Sequence, residues 1–149
     1  MFRKIVAVTV VMSGALFASD GFVGTWKVSQ SNMSPIQTDT WEATADGYRI
    51  VSTRRAPNGK IISGSRLLHL DGKYRPEPGP GPERKITYRR KDLNTITMEG
   101  RENNKENGMT AVFRGQWMIS GDRRTMTYTV QSIPSSGQQF NGTTVFSKQ

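Results

Sequence analysis

The chain has no cysteine, a single histidine and, beyond its first 18 residues, no long apolar run. Each absence removes a class of function. Without cysteine there is no disulfide framework, thiolate nucleophile, thiolate metal site or lipid-attachment cysteine, and stability must come from packing. His69 stands between Leu68 and Leu70 with no second His or Cys nearby in sequence, so a metal site has no support. Serines are numerous, yet no Gly-x-Ser-x-Gly elbow occurs. Glu99 and Glu102 are three residues apart on an expected strand and so point to opposite faces, which leaves paired-carboxylate hydrolysis without a pair. Gly79 and Gly81 alternate with prolines that have no N–H to offer a phosphate. The chain reads as a non-enzyme with no cofactor.

Acidic residues are also scarce, 12 against 21 Lys and Arg, for a net charge of +9. Such a balance favours anionic partners, such as phosphate-bearing glycans, anionic lipid headgroups and other anionic envelope components, or nucleic acid. A solvated exterior with a basic bias gives the same count.

The one apolar run is at the start. Met1-Phe2-Arg3-Lys4 is a basic n-region, residues 5–12 are an uncharged h-region, and residues 13–18 are rich in small side chains. That order is a secretory signal peptide, with cleavage expected after Ala18 or Ser19. The apolar run from Ile5 to Ala18 falls short of the roughly 20 residues that span a bilayer. The expected organisation is a signal peptide at 1–18 and one domain at 19–149, exported to the periplasm or beyond. No transmembrane segment is expected in the mature chain. Setting the leader aside leaves 131 residues, with 19 basic against 12 acidic, enough to enclose one core.

What remains reads as strands separated by turn signals every 8–12 residues or so. Strands are expected at 23–29, 38–45, 47–55, 60–70, 84–91, 95–101, 109–119, 125–132 and 139–147. Hairpin turns are expected at Asp46-Gly47, Pro57-Asn58-Gly59 and Asp71-Gly72, where glycine would supply positive φ. Pro76 to Pro82, four prolines in seven residues, reads as an extended surface loop. Gly64, between Ser63 and Ser65, is expected to mark a bend or bulge. Period-2 alternation is clear: Ile86 and Tyr88, Ile96 and Met98, Met126, Tyr128 and Val130 each share a face. So do Met109, Ala111, Phe113, Gly115, Trp117 and Ile119. One apolar and one polar face on successive hairpins predicts an all-β fold. We expect a single antiparallel up-and-down β-barrel of about eight to ten strands, closed by its first and last strands.

The run Phe22-Val23-Gly24-Thr25-Trp26-Lys27, the middle element Asp71-Gly72-Lys73-Tyr74-Arg75-Pro76 and the ending Val145-Phe146-Ser147-Lys148-Gln149 resemble the lipocalin and fatty-acid-binding (calycin) superfamily. More closely, they are similar to small exported bacterial lipocalin-like proteins of unassigned function. Those proteins tend to begin Phe-x-Gly-Thr-Trp-Lys and to end near Val-Tyr-x-Lys-Gln. The resemblance covers most of the mature chain. It implies a lipocalin-like barrel in which Trp26 plugs one end and Lys148 packs across the indole.

Departures from the pattern narrow this. Only 30–38 join the first two strands, too few residues for the two-helix lid of intracellular fatty-acid binders. Their Arg-x-Tyr carboxylate anchor on the last strand is matched here by Thr144 and Phe146, and Thr cannot replace a guanidinium fork. Fatty acid held in that manner is not expected.

Two sequons, Asn32-Met33-Ser34 and Asn141-Gly142-Thr143, carry no meaning if the source is bacterial. The doublets Arg54-Arg55, Arg89-Arg90 and Arg123-Arg124 near aromatics fit oligonucleotide binding on a small barrel, but export argues against nucleic acid. On a strand one Arg of a doublet faces each side, so some of Arg54, Arg66 and Arg90 are candidates for the barrel interior or its mouth. At the rim, in solvent, the same residues have no such role.

Two readings of function follow. In the first, the barrel holds a small apolar or amphipathic ligand in a cavity of a few hundred cubic ångströms. Its candidate lining is Trp26, Trp41, Arg66, Tyr88, Phe113, Trp117, Tyr128 and Phe146. In the second, the aromatics fill a solid core and the basic exterior serves as an interaction module or inhibitor at the cell envelope.

Overall fold

The structure is a computed structural model that describes residues 20–33 and 35–149. The expected signal peptide and cleavage points lie outside the described residues, as does Ser34 of the first sequon. Ten strands follow one another: β1 (Gly24–Ser31), β2 (Gln37–Ala43), β3 (Gly47–Arg55), β4 (Ile61–His69), β5 (Arg75–Pro76), β6 (Glu83–Asp92), β7 (Thr95–Asn103), β8 (Thr110–Ile119), β9 (Thr125–Pro134) and β10 (Phe140–Lys148). The described residues contain no helix, and hence none long and apolar enough to cross a membrane.

All ten strands form one antiparallel sheet in the order β4-β3-β2-β1-β10-β9-β8-β7-β6-β5. β1 and β10 pair as expected, with Trp26 opposite Lys148, but they lie in the middle of the order. The break in the ladder lies elsewhere, between β4 and β5. Proline accounts for it: β5 is two residues long and runs into Pro76, Pro78, Pro80 and Pro82, none of which can donate to a neighbouring strand.

The sheet curls so that β4 also approaches β6. Asp71-Gly72 takes part in this approach and makes no hairpin. Asp71 bridges to Arg89, and the Gly72 N–H donates to the Tyr88 carbonyl at 3.1 Å. The open edge is therefore stitched at one end and free along most of β4.

Two glycines act differently from expectation. Gly47, in the Asp46-Gly47 turn, is not among the positive-φ residues; a Cβ there would lie 1.8 Å from the Leu68 carbonyl oxygen. The turn needs glycine for close approach between β3 and β4, whereas Gly59 and Gly72 do take positive φ. Gly64 sits in unbroken register opposite Ser52, so it marks no bulge. The irregularities fall at Val28/Gln30 and Arg90/Asp92 instead.

One end of the core is an aromatic cluster. Phe22, Trp26, Trp41 and Tyr48 are all buried there, with Phe22 5.5 Å from Trp41 and Tyr48 5.4 Å from Trp41 between ring centroids. The polar parts of these rings find partners, as buried aromatics with N–H or O–H groups require. Trp26 Nε1 donates to the Phe22 carbonyl at 2.9 Å, and the Tyr48 hydroxyl meets the Asp20 carboxylate. Arg90 holds Asp20 at 3.2 Å and lies over both Phe22 and Tyr48 at 5.5 Å. Lys148 Nζ lies 5.0 Å from the centre of the Trp26 ring and donates to the Gly21 carbonyl at 3.4 Å. Gly24, at φ 132°, lets that lysine pass; a Cβ there would sit 3.0 Å from Lys148 Cε. This end is plugged.

Candidate functional site

Away from the plug, the inward faces of the strands line a cavity of about 370 Å³. Its composition follows from strand register. Cross-strand pairing runs Trp26–Asp39–Ser52–Gly64 in one row and Trp41–Ile50–Arg66 in the next. As the rows leave the plug, their apolar residues give way to Asp39, Ser52, Gly64 and Arg66. Across the space, β8 pairs Trp117 with Tyr128 of β9, and β10 adds Thr144 and Phe146. One wall is aromatic and the other polar.

Ring-to-ring contacts build the aromatic wall. Trp117 stacks on Tyr128 with centroids 4.4 Å apart and planes at 20°, and it touches Trp41 edge-on at 5.9 Å. Burial pushes the Tyr128 phenol up to about 12 against the pull of the Arg66 charge. Trp41 Nε1 is buried and has no hydrogen-bond partner among the described residues, so the interior carries an unpaired donor.

The polar wall centres on Asp39 and Arg66. Asp39 is only 2% exposed, accepts from Gln37 Nε2 at 3.0 Å, and has its carboxyl pushed up by burial. Ser52, Arg66 and Gln37 pull it back in part. The Arg66 guanidinium lies over Trp117, 5.7 Å from the ring centroid. Among the described residues Arg66 has no carboxylate within 4 Å. Gly64 opens the site, since a Cβ added there would meet nothing within 4 Å.

Of the residues expected to line a cavity, Arg66, Trp117, Tyr128 and Phe146 do so together. Trp26 and Trp41 belong to the plug, where neither lines the space. Tyr88 faces the open edge of the sheet, 6.0 Å from Trp117. Phe113 packs on the core beneath Arg84, 5.4 Å from its ring. Arg54 is exposed and Arg90 is spent on the plug. Asp39, Ser52, Gln37 and Gly64 were not foreseen as lining. The signal was present: Gln37 and Asp39 alternate in phase with Trp41, and Ser52 with Tyr48 and Ile50. His69 pairs with Asp46 at 2.5 Å, and no cluster of three or more His, Cys, Asp or Glu suited to a metal occurs among the described residues.

No family model matches the chain, and no curated protein matches it. Among solved structures it is similar to EF1p2_mFAP2b bound to DFHBI. The two share 12% identity over 89% of this chain and 97% of that one, at a TM-score of 0.41.

Proposed function

We propose that the chain is an exported, lipocalin-like barrel whose function is to bind a small apolar or amphipathic molecule in its interior. The observation that carries this reading is the cavity of about 370 Å³ bounded by Trp117, Tyr128 and Phe146 on one side and Asp39, Ser52 and Arg66 on the other. That volume falls at the lower end of small-molecule sites, which pair an apolar lining with a few placed polar groups. A flat ring fits against the Trp117–Tyr128 stack, with its polar edge turned to Asp39 and Arg66. In this reading β4 and β6 complete the barrel by side-chain contact, and residues 1–18 direct the chain to the periplasm or the exterior. None of the lining groups forms a nucleophile–base pair, so binding without turnover is the activity proposed.

Native mass spectrometry of the protein purified from its own host tests the reading. We expect an adduct of a few hundred daltons that is lost on mild activation. An empty protein that also shows no thermal shift across aromatic and short-chain lipid probes would favour a basic interaction module or inhibitor at the envelope.

A further inference from the structure

The open edge of the sheet holds a second cavity, of about 670 Å³, which the interior reading does not use. It wraps the free edge of β4. Arg49, Ser65 and Leu67 reach it from the outer face, Arg66, Ile86 and Tyr88 from the inner face, and Lys73 with residues 75–78 forms its far bank. Ser65 and Arg66 line this cleft and the interior cavity alike. The two spaces therefore meet at one arginine.

The cleft is strongly basic. Arg49, Arg66, His69, Lys73 and Arg75 line it, against one acid, Glu77. Some of this charge is already spent. Arg75 makes a two-pronged pair with Asp71, both bonds 2.7 Å, and His69 pairs with Asp46. Arg49 stands 3.9 Å from Glu42 with both side chains more than half exposed, a pairing that holds little. Lys73 and Arg66 have no carboxylate within 4 Å among the described residues. Of the apolar residues that line the cleft, Ile86 and Tyr88 are buried, and an apolar surface beside the charges weakens the competition of water for an anion. The Arg66 guanidinium carbon also lies over the Trp117 ring, 5.7 Å from its centroid, a cation–π contact that leaves the charge unpaired by any carboxylate of the described residues.

We propose that the edge cleft is a head-group subsite and that the ligand is an amphipathic anion. Its carboxylate, sulfonate or phosphate sits against Lys73 and Arg66, and its ring or short chain passes the β4 edge into the interior cavity. This rests on the interior reading above. It returns to the chain the anion anchor that Thr144 and Phe146 lack, delivered from β4 and the segment after it.

A matched pair of fluorescent probes tests the proposal: 8-anilinonaphthalene-1-sulfonate and neutral N-phenyl-1-naphthylamine, which share a ring body and differ in charge. We expect the sulfonate to bind about tenfold more tightly at low salt, with the advantage shrinking at about 0.5 M salt. Lys73→Gln, outside the interior cavity, should weaken the sulfonate by about three- to tenfold while leaving the naphthylamine within about twofold, and Arg66→Gln should weaken the sulfonate by more than it weakens the naphthylamine. Arg66→Lys should keep part of the affinity. Equal affinity for the two probes, or sulfonate binding untouched by both glutamine variants, would overturn the head-group subsite alone. Failure of both probes to bind would overturn the interior reading with it.

Discussion

Arg66 lies over the indole of Trp117, its guanidinium carbon 5.7 Å from the ring centroid. The contact joins the polar and aromatic walls of the interior and stands where the cavity meets the open edge. Both residues come from strands whose exposure differs sharply, since Trp117 is 1% exposed and β4 is exposed along most of its length.

Trp117 should report occupancy. It is the only one of the three tryptophans that lines the cavity, whereas Trp26 and Trp41 are held in the plug. Titration with N-phenyl-1-naphthylamine is expected to quench tryptophan emission, and Trp117→Phe should lose most of that quench. Far-ultraviolet circular dichroism would confirm that the variant keeps its sheet. A full quench surviving in the variant would place the probe outside the cavity.

Asp39 should make stability fall as pH rises. Burial raises its carboxyl above the ordinary range in the folded state, so the unfolded chain gives up this proton first as pH increases. The cost is absent below the ordinary carboxylate pKa of about 3.9 and grows as pH climbs through the raised folded value. Asp39→Asn keeps an acceptor for Gln37 and cannot ionise. Relative to the native protein, its stability in urea should gain as pH rises above the ordinary carboxylate range and level off above the raised folded value. A constant difference throughout would show that Asp39 ionises normally.

The plug should separate into one large and one small contribution. Trp26→Ala removes a fully buried indole and its bond to Phe22, a loss of about 3–5 kcal/mol. Lys148→Ala removes the cation over that ring, about 0.5–1 kcal/mol, and Lys148→Arg should restore part of it. Urea unfolding midpoints measure both. A Lys148→Ala cost matching that of Trp26→Ala would mean the lysine holds β10 in place by some other route.

Much of the fold was legible because strands with one buried face must alternate. Ile86 and Tyr88, Ile96 and Met98, and Trp117 and Ile119 all point inward as their spacing required. The pairing of Trp26 with Lys148 was legible from both chain ends. The open edge was not, because alternation sets faces and leaves strand partners open. That β4 fails to pair with β5 depends on the prolines that follow and on the curl of the whole sheet. Gly47 shows a similar limit, since a glycine serving a turn and one admitting a neighbour's carbonyl look alike in sequence. Asp39 was missed for a different reason. A charged residue on an inward face runs against the hydrophobic alternation by which strand faces are read.

Gly64→Leu tests the central claim most directly. The added side chain meets no protein atom within 4 Å of its Cβ, and it enters the space lined by Arg66, Trp117 and Tyr128. The measurement is the N-phenyl-1-naphthylamine titration of native and variant protein, with urea stability recorded alongside. The account expects unchanged or higher stability in the variant, together with probe affinity reduced by about tenfold or more. A variant that binds the probe as the native protein does would contradict an interior binding site.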